Sequence, residues 1–80
     1  MENYYIETVQ IDGQEPYLKI YFEDVVDKDA IKTWLNLQGF LKKANVNEDD
    51  NCKISAIVKL LPDSDMHEVK KKLDAALSKI

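Results

Sequence analysis

The apolar and polar positions divide the chain into six elements. Tyr17-Leu18-Lys19-Ile20-Tyr21-Phe22 alternates strictly, with Leu18, Ile20 and Phe22 on one side and Tyr17, Lys19 and Tyr21 on the other. Side chains change face at every residue of a strand, so residues 17–23 predict a strand with one buried and one wetter side. Residues 4–11 alternate less cleanly. Tyr5, Val9 and Ile11 share a face with Glu7, while Ile6 sits opposite with Tyr4, Thr8 and Gln10. Such a strand belongs at a sheet edge. Asp12-Gly13 is a turn signal and Pro16 cannot donate to a ladder, so the second strand returns antiparallel to the first.

Two further strands follow the same logic. In residues 40–47, Phe40, Ala44 and Val46 alternate with Leu41, Lys43 and Asn45, leaving Lys42 as the odd member of the inner set. Residues 48–51 make a hairpin loop. In residues 52–61, Ile54, Ala56, Val58 and Leu60 oppose Lys53, Ser55, Ile57 and Lys59, and Pro62 closes the strand.

Between the pairs, periodicity switches to helical. An acidic connector, residues 24–29, supplies Asp27 or Asp29 as N-cap. Ala30, Ile31, Trp34 and Leu35 then form one apolar stripe, and Gly39 is placed to end the helix in the left-handed conformation. Trp34 reads as core, packed on Phe22 or Phe40. The last helix opens on Asp65-Met66-His67-Glu68, a capping box with Asp65 as N-cap and Glu68 reaching back, with Asp63 and Ser64 as rival caps. Met66, Val69, Leu73, Ala76, Leu77 and Ile80 make its stripe, with Lys70, Lys71, Lys72 and Lys79 between and after them.

The element order is therefore ββαββα. From residue 17 onward it resembles a ferredoxin-like βαββαβ domain that lacks its final strand, and residues 4–11 can fill the vacant slot. The resemblance implies an α+β, two-layer sandwich: a four-stranded antiparallel sheet in order 1-2-4-3, with both helices on one face and the peripheral strand permuted to the N-terminus. It is a likeness of topology and carries no motif. We expect one domain over residues 1–80, without repeats or linkers. Met1 and the complete second helix suggest a whole chain rather than a fragment.

Composition narrows the class. Of 80 residues, 45% are hydrophobic and 32% charged, and the net charge is −4. That is globular composition, although a domain this short buries only about 60% of its unfolded surface. The acidic balance argues against non-specific grip on DNA or anionic membranes. The single cysteine, Cys52, excludes an internal disulfide, which small secreted domains usually need, so a reducing compartment, the cytoplasm, is expected. Met1-Glu2-Asn3 opens no basic, apolar leader, and no apolar run approaches the ~20 residues of a membrane span.

Candidate chemistry concentrates on the sheet face that no helix covers. There the pattern places Tyr17, Lys19, Tyr21, Leu41, Lys43, Lys53, Ser55, Ile57 and Lys59. Tyrosine and apolar groups on an exposed face suit a protein contact, either with another protein or in a homodimer. The edge strands 4–11 and 40–47 could also accept a partner strand. The alternative is a single-stranded nucleic-acid binder: tyrosines stack bases and lysines hold phosphates, as in the RNA-recognition motif. That family's Gly- and Phe-rich strand signature is absent here, and the net charge opposes it.

Other constellations point to structure rather than chemistry. Glu2, Asp24, Asp27, Asp29, Glu48, Asp49 and Asp50 gather at one end of the sheet but lack EF-hand spacing, so capping and solvated loops account for them. Cys52 and His67 are too few for a structural zinc site. They lie about 25 Å apart at about 3.3 Å per residue, which excludes a dyad. Heavy-metal-associated domains, ferredoxin-like relatives, carry Cys-x-x-Cys before the first helix, whereas residues 23–29 hold no cysteine. ACT-type domains use a glycine-bearing ligand loop that this chain lacks. Gly13 and Gly39 fall in unrelated turns, so no phosphate loop forms. We therefore expect no catalytic residue, metal or cofactor, and a non-enzymatic interaction module.

Overall fold

The computed structural model describes residues 3–24 and 26–80. Its elements run β1 (Tyr4–Val9), β2 (Tyr17–Phe22), α1 (Lys28–Asn36), β3 (Leu41–Glu48), β4 (Ile54–Leu60) and α2 (Met66–Leu77). The four strands form one sheet in the order β1-β2-β4-β3, and each neighbouring pair is antiparallel. This is the expected α+β sandwich, with β1 in the slot of the last strand of a ferredoxin-like domain. Among the described residues no helix is long and apolar enough to cross a membrane.

One cluster of side chains holds the two layers together. Leu18, Ile20 and Phe22 of β2 and Ile54, Ala56 and Val58 of β4 meet Ile31 and Leu35 of α1 and Val69, Leu73 and Leu77 of α2. Both helices therefore cover the same sheet face. Burying each large aliphatic side chain contributes roughly 1.5–3 kcal/mol, so the two central strands and the helix stripes dominate stability. Trp34 and Phe40 are only partly buried against this cluster, which makes Trp34 a flank of the core rather than its centre.

The helix ends show which local signals prevail. Asp27 caps α1, accepting from the Ala30 N–H at 3.1 Å. Gly39 does not end α1: the helix stops at Asn36, and Leu37 is a right-handed C-cap. Backbone groups serve the terminal carbonyls instead: the Leu37 N–H donates to Thr33 (3.1 Å) and Trp34 (3.2 Å) and the Gln38 N–H to Leu35 (3.2 Å). Asn36 Nδ2 donates to the Lys32 carbonyl at 2.9 Å and Gln38 Nε2 to that of Trp34 at 2.9 Å. The Trp34 carbonyl thus receives two donors, and the helix end is satisfied without a glycine cap. At α2, Asp65 accepts from the N–H groups of His67 (2.9 Å) and Glu68 (3.4 Å). Ile80 lies beyond the helix and is half exposed.

Two strand features depart from simple alternation. The β3–β4 register shifts between Leu41 and Lys43, so Lys42 is an extra residue. The shift turns Leu41 towards the helices, where it is 7% exposed and pairs with Leu60. The expected place of Leu41 on the open face is thus corrected: a bulge reverses the phase upstream of it. Cys52, expected to begin β4, instead sits in the turn before it, at a φ of 62°. A type II turn over residues 11–14 needs the positive φ of Gly13 (80°) at its third position, where the Gln14 N–H donates back to the Ile11 carbonyl at 3.0 Å.

Candidate functional site

The open face is built by the pairing itself. Tyr5 lies opposite Tyr21, Glu7 opposite Lys19, and Val9 opposite Tyr17. Across β2, Tyr17, Lys19 and Tyr21 face Lys59, Ile57 and Ser55, and Lys43 follows next to Lys59. Of the nine residues expected on this face, Tyr17, Lys19, Tyr21, Lys43, Ser55, Ile57 and Lys59 come together here. Lys53 borders the face from the β3–β4 loop, where its N–H donates to Asp49 Oδ1 at 2.9 Å, and Leu41 is absent from it.

At the centre, the Tyr5 and Tyr21 rings stack with centroids 6.2 Å apart, and Lys19 Nζ lies 4.9 Å from the Tyr21 centroid. Such contacts are each worth about 0.5–1.5 kcal/mol. Tyr5 is 59% exposed, so this aromatic surface remains open to a partner. Tyr5 was not foreseen on this face. The signal was Glu7, which shares its register side and must point to solvent. Lys42 also joins the surface, lining a hollow with Tyr17, Ile57 and Lys59, because the bulge releases it from the inner set.

The two sheet edges differ in how their backbone is used. The Glu23 N–H donates to the Asn3 carbonyl at 3.0 Å, which sets the phase of the β1–β2 ladder. Bonded pairs alternate in an antiparallel ladder. Tyr5, Glu7 and Val9 therefore bond to β2, while Tyr4, Ile6 and Thr8 turn their N–H and C=O groups outward. On the far edge, the Asp49 N–H bond to the Lys53 carbonyl (2.9 Å) likewise turns Ala44, Val46 and Glu48 outward. There Asn36 intervenes: its Oδ1 accepts from the Ala44 N–H at 3.0 Å and its Nδ2 donates to the Ala44 carbonyl at 3.2 Å.

Beside the β1 edge lies an open groove of about 580 Å³, floored by Tyr4, Tyr5 and Ile6 and walled by His67, Glu68, Lys70, Lys71 and Asp74 of α2. The Tyr4 hydroxyl donates to the Asp74 carboxylate and also lies 3.0 Å from the Asp74 carbonyl. Burial, then that hydrogen bond, then the carboxylate's charge push the Tyr4 hydroxyl from 10 up to about 12. Tyr4 is neutral across the physiological range and pins the start of β1 to α2. The groove was not visible in the sequence, since it is made by two segments at opposite ends of the chain.

The remaining candidates behave as structure. Asp24 accepts from Asn3 Nδ2 at 2.9 Å, Asp27 caps α1, and Asp49 Oδ1 accepts from the Asn51 N–H at 2.9 Å. Glu2 lies outside the described residues. Among the described residues, no group of three or more His, Cys, Asp or Glu side chains is arranged to hold a metal ion. Cys52 and His67 sit beyond opposite ends of β4. Comparison with protein-family models, with curated proteins and with solved structures finds no match to this chain.

Proposed function

We propose that this domain is a non-enzymatic association module, working in a reducing compartment, that offers its helix-free sheet face to another protein. The observation that carries this reading is the exposed Tyr5–Tyr21 stack with Lys19 over it, at the centre of a face bordered by Lys43, Lys53 and Lys59. Glu7 is the one carboxylate of the Tyr5–Glu7–Val9 row, so the face is locally basic on a chain of net charge −4. Rigid aromatic groups bring contact area at little entropic cost, and lysines around them set orientation.

Light-scattering chromatography across concentration, on wild type and Tyr21→Glu, tests the self-association form of this reading. A dimer that Tyr21→Glu converts to monomer supports it, and a dimer indifferent to the substitution moves the contact off this face. The same tyrosines and lysines would also suit single-stranded nucleic acid. Titration with oligo-dT separates the two, because phosphate contacts weaken steeply with salt whereas an apolar contact does not. Tight, salt-sensitive oligo-dT binding lost in Tyr21→Glu would replace the protein reading.

A further inference from the structure

We propose that two copies of this chain dock their helix-free sheet faces on each other about a two-fold axis that runs across the strands. The inference rests on the open face being the contact surface, and it adds the occupant and the orientation. Its support is a charge gradient along the strands. At one end Lys43 lies directly opposite Lys59. Lys59 shares a hollow there with Lys42, and among the described residues Glu15 is the one carboxylate lining it. At the other end, the hollow beside Tyr21 holds Glu23, Glu48 and Asp49 against Lys19 and Lys53. Three lysines against one carboxylate leave the first end positive, and three carboxylates against two lysines leave the second negative. Like charges directly opposite on one sheet face destabilise it, so the Lys43–Lys59 pair gains from a carboxylate supplied from outside.

The gradient selects both occupant and axis. Tyr17 at the lysine end and Glu23 at the carboxylate end are about 20 Å apart at about 3.3 Å per residue, whereas sheets packed face to face lie about 10 Å apart. Each end therefore meets whatever end is set over it. An axis parallel to the strands sets the lysine end of one copy on the lysine end of the other, and like charges repel. An axis across the strands sets each lysine end on the other copy's carboxylate end, and the pairing is made twice, as an isologous contact requires. The middle of the face lies on that axis. There Ile57, opposite Lys19 of β2 and Asn45 of β3, meets its own copy. The Tyr5–Tyr21 stack of one copy covers the Tyr17 end of the other. Apolar and aromatic area then lies at the centre and charge at both rims, the anatomy of a specific interface.

Charge reversal tests this directly. Light-scattering chromatography of the wild type should show a dimer that weakens as salt is raised. Lys43→Glu with Lys59→Glu, and separately Glu23→Lys with Glu48→Lys, should each weaken dimerisation at least tenfold. Circular dichroism melts establish that both variants remain folded. An equimolar mixture of the two should dimerise again, because each rim then sets a negative end on a positive one. A nitroxide on Cys52, exposed in the turn at the carboxylate end, reads the axis. Mixed with 15N-labelled chain, it should broaden the amides of Lys43 and Lys59 in the labelled copy more than that of Lys53. Strongest broadening at Lys53, or a mixture that stays monomeric, would overturn the proposal. A wild type that is monomeric at millimolar concentration would overturn it and leave the face to a different protein. A dimer indifferent to Tyr21→Glu would overturn the reading of the face itself, and this inference with it.

Discussion

At the β3 margin, the amide side chain of Asn36 occupies both outward backbone groups of Ala44, with bonds of 3.0 and 3.2 Å. At the β1 margin, the equivalent groups of Ile6 face a groove. The difference begins in connectivity. α1 leads directly into β3 through four residues and so lies against it, and its last residue, Asn36, falls level with Ala44. The bulge at Lys42 and the charges of Lys42 and Lys43 add two more obstacles to pairing. β1 has no helix joined to it. It borrows α2 from the other end of the chain, through Tyr4 and Asp74. One sheet thus has a margin plugged at Ala44 and a margin facing a groove, and an edge left available in a small domain is where a partner strand can add.

Proline substitutions at adjacent β1 positions give the largest effect and test the ladder phase directly. Glu7 bonds inward to β2, so Glu7→Pro should cost about 2–3 kcal/mol through a lost ladder bond and local distortion. Thr8 points its N–H outward, so Thr8→Pro should cost less than about 1 kcal/mol. For a domain of this size, 1 kcal/mol moves the melting temperature by about 4–8 °C. Thermal melts should therefore separate the two variants by roughly 10 °C. The reverse order would mean that Tyr4, Ile6 and Thr8 face β2 and that β1 offers nothing to a partner.

Asn36→Ala attacks the plugged margin. It strips both partners from a part-buried backbone pair, at a cost of about 1–3 kcal/mol, and should raise hydrogen exchange at Ala44 while leaving Ile6 unchanged. Asn36→Asp keeps the acceptor for the Ala44 N–H but sets a carboxylate oxygen against the Ala44 and Lys32 carbonyls, so it should not rescue the loss. A melt unchanged by Asn36→Ala would show that the helix body, not its amide, closes this edge.

What was legible in the chain follows the range of the interactions. β2 and β4 are central, so each strand has a covered face that forces clean alternation, and the face assignments of Leu18, Ile20, Ala56 and Val58 could be read residue by residue. The edge strands obey weaker constraints. β1 has a single buried residue, Ile6, and its aromatic Tyr5 competed with it for the inner face until Glu7 is weighed. In β3 the extra residue leaves no local mark except Lys42 among the inner positions and Leu41 among the outer ones, and alternation alone puts Leu41 on the wrong side. Caps are local, and Asp27 and Asp65 fell where side-chain chemistry puts them. Asn36 with Ala44 and Tyr4 with Asp74 are tertiary pairs, and no spacing along the chain announces either.

Tyr4→Phe gives the smallest effect and probes the pin at the available margin. Near neutral pH the lost hydrogen bond should cost about 1 kcal/mol and should increase hydrogen exchange at Tyr5 without touching Ala44. The pH dependence has a definite sign. The folded state holds the Tyr4 hydroxyl at about 12 against 10 when unfolded, so it favours the neutral form. The wild-type advantage is complete below pH 10 and is lost as pH rises through 12, because the unfolded chain releases the proton first. Urea midpoints for wild type and Tyr4→Phe, compared at pH 8 and at pH 11, should converge at the higher value. A constant gap would mean that Asp74 does not hold the hydroxyl. The β1 margin would then be anchored by Ile6 in the core and by its ladder with β2, and the contrast with β3 would be sharper still.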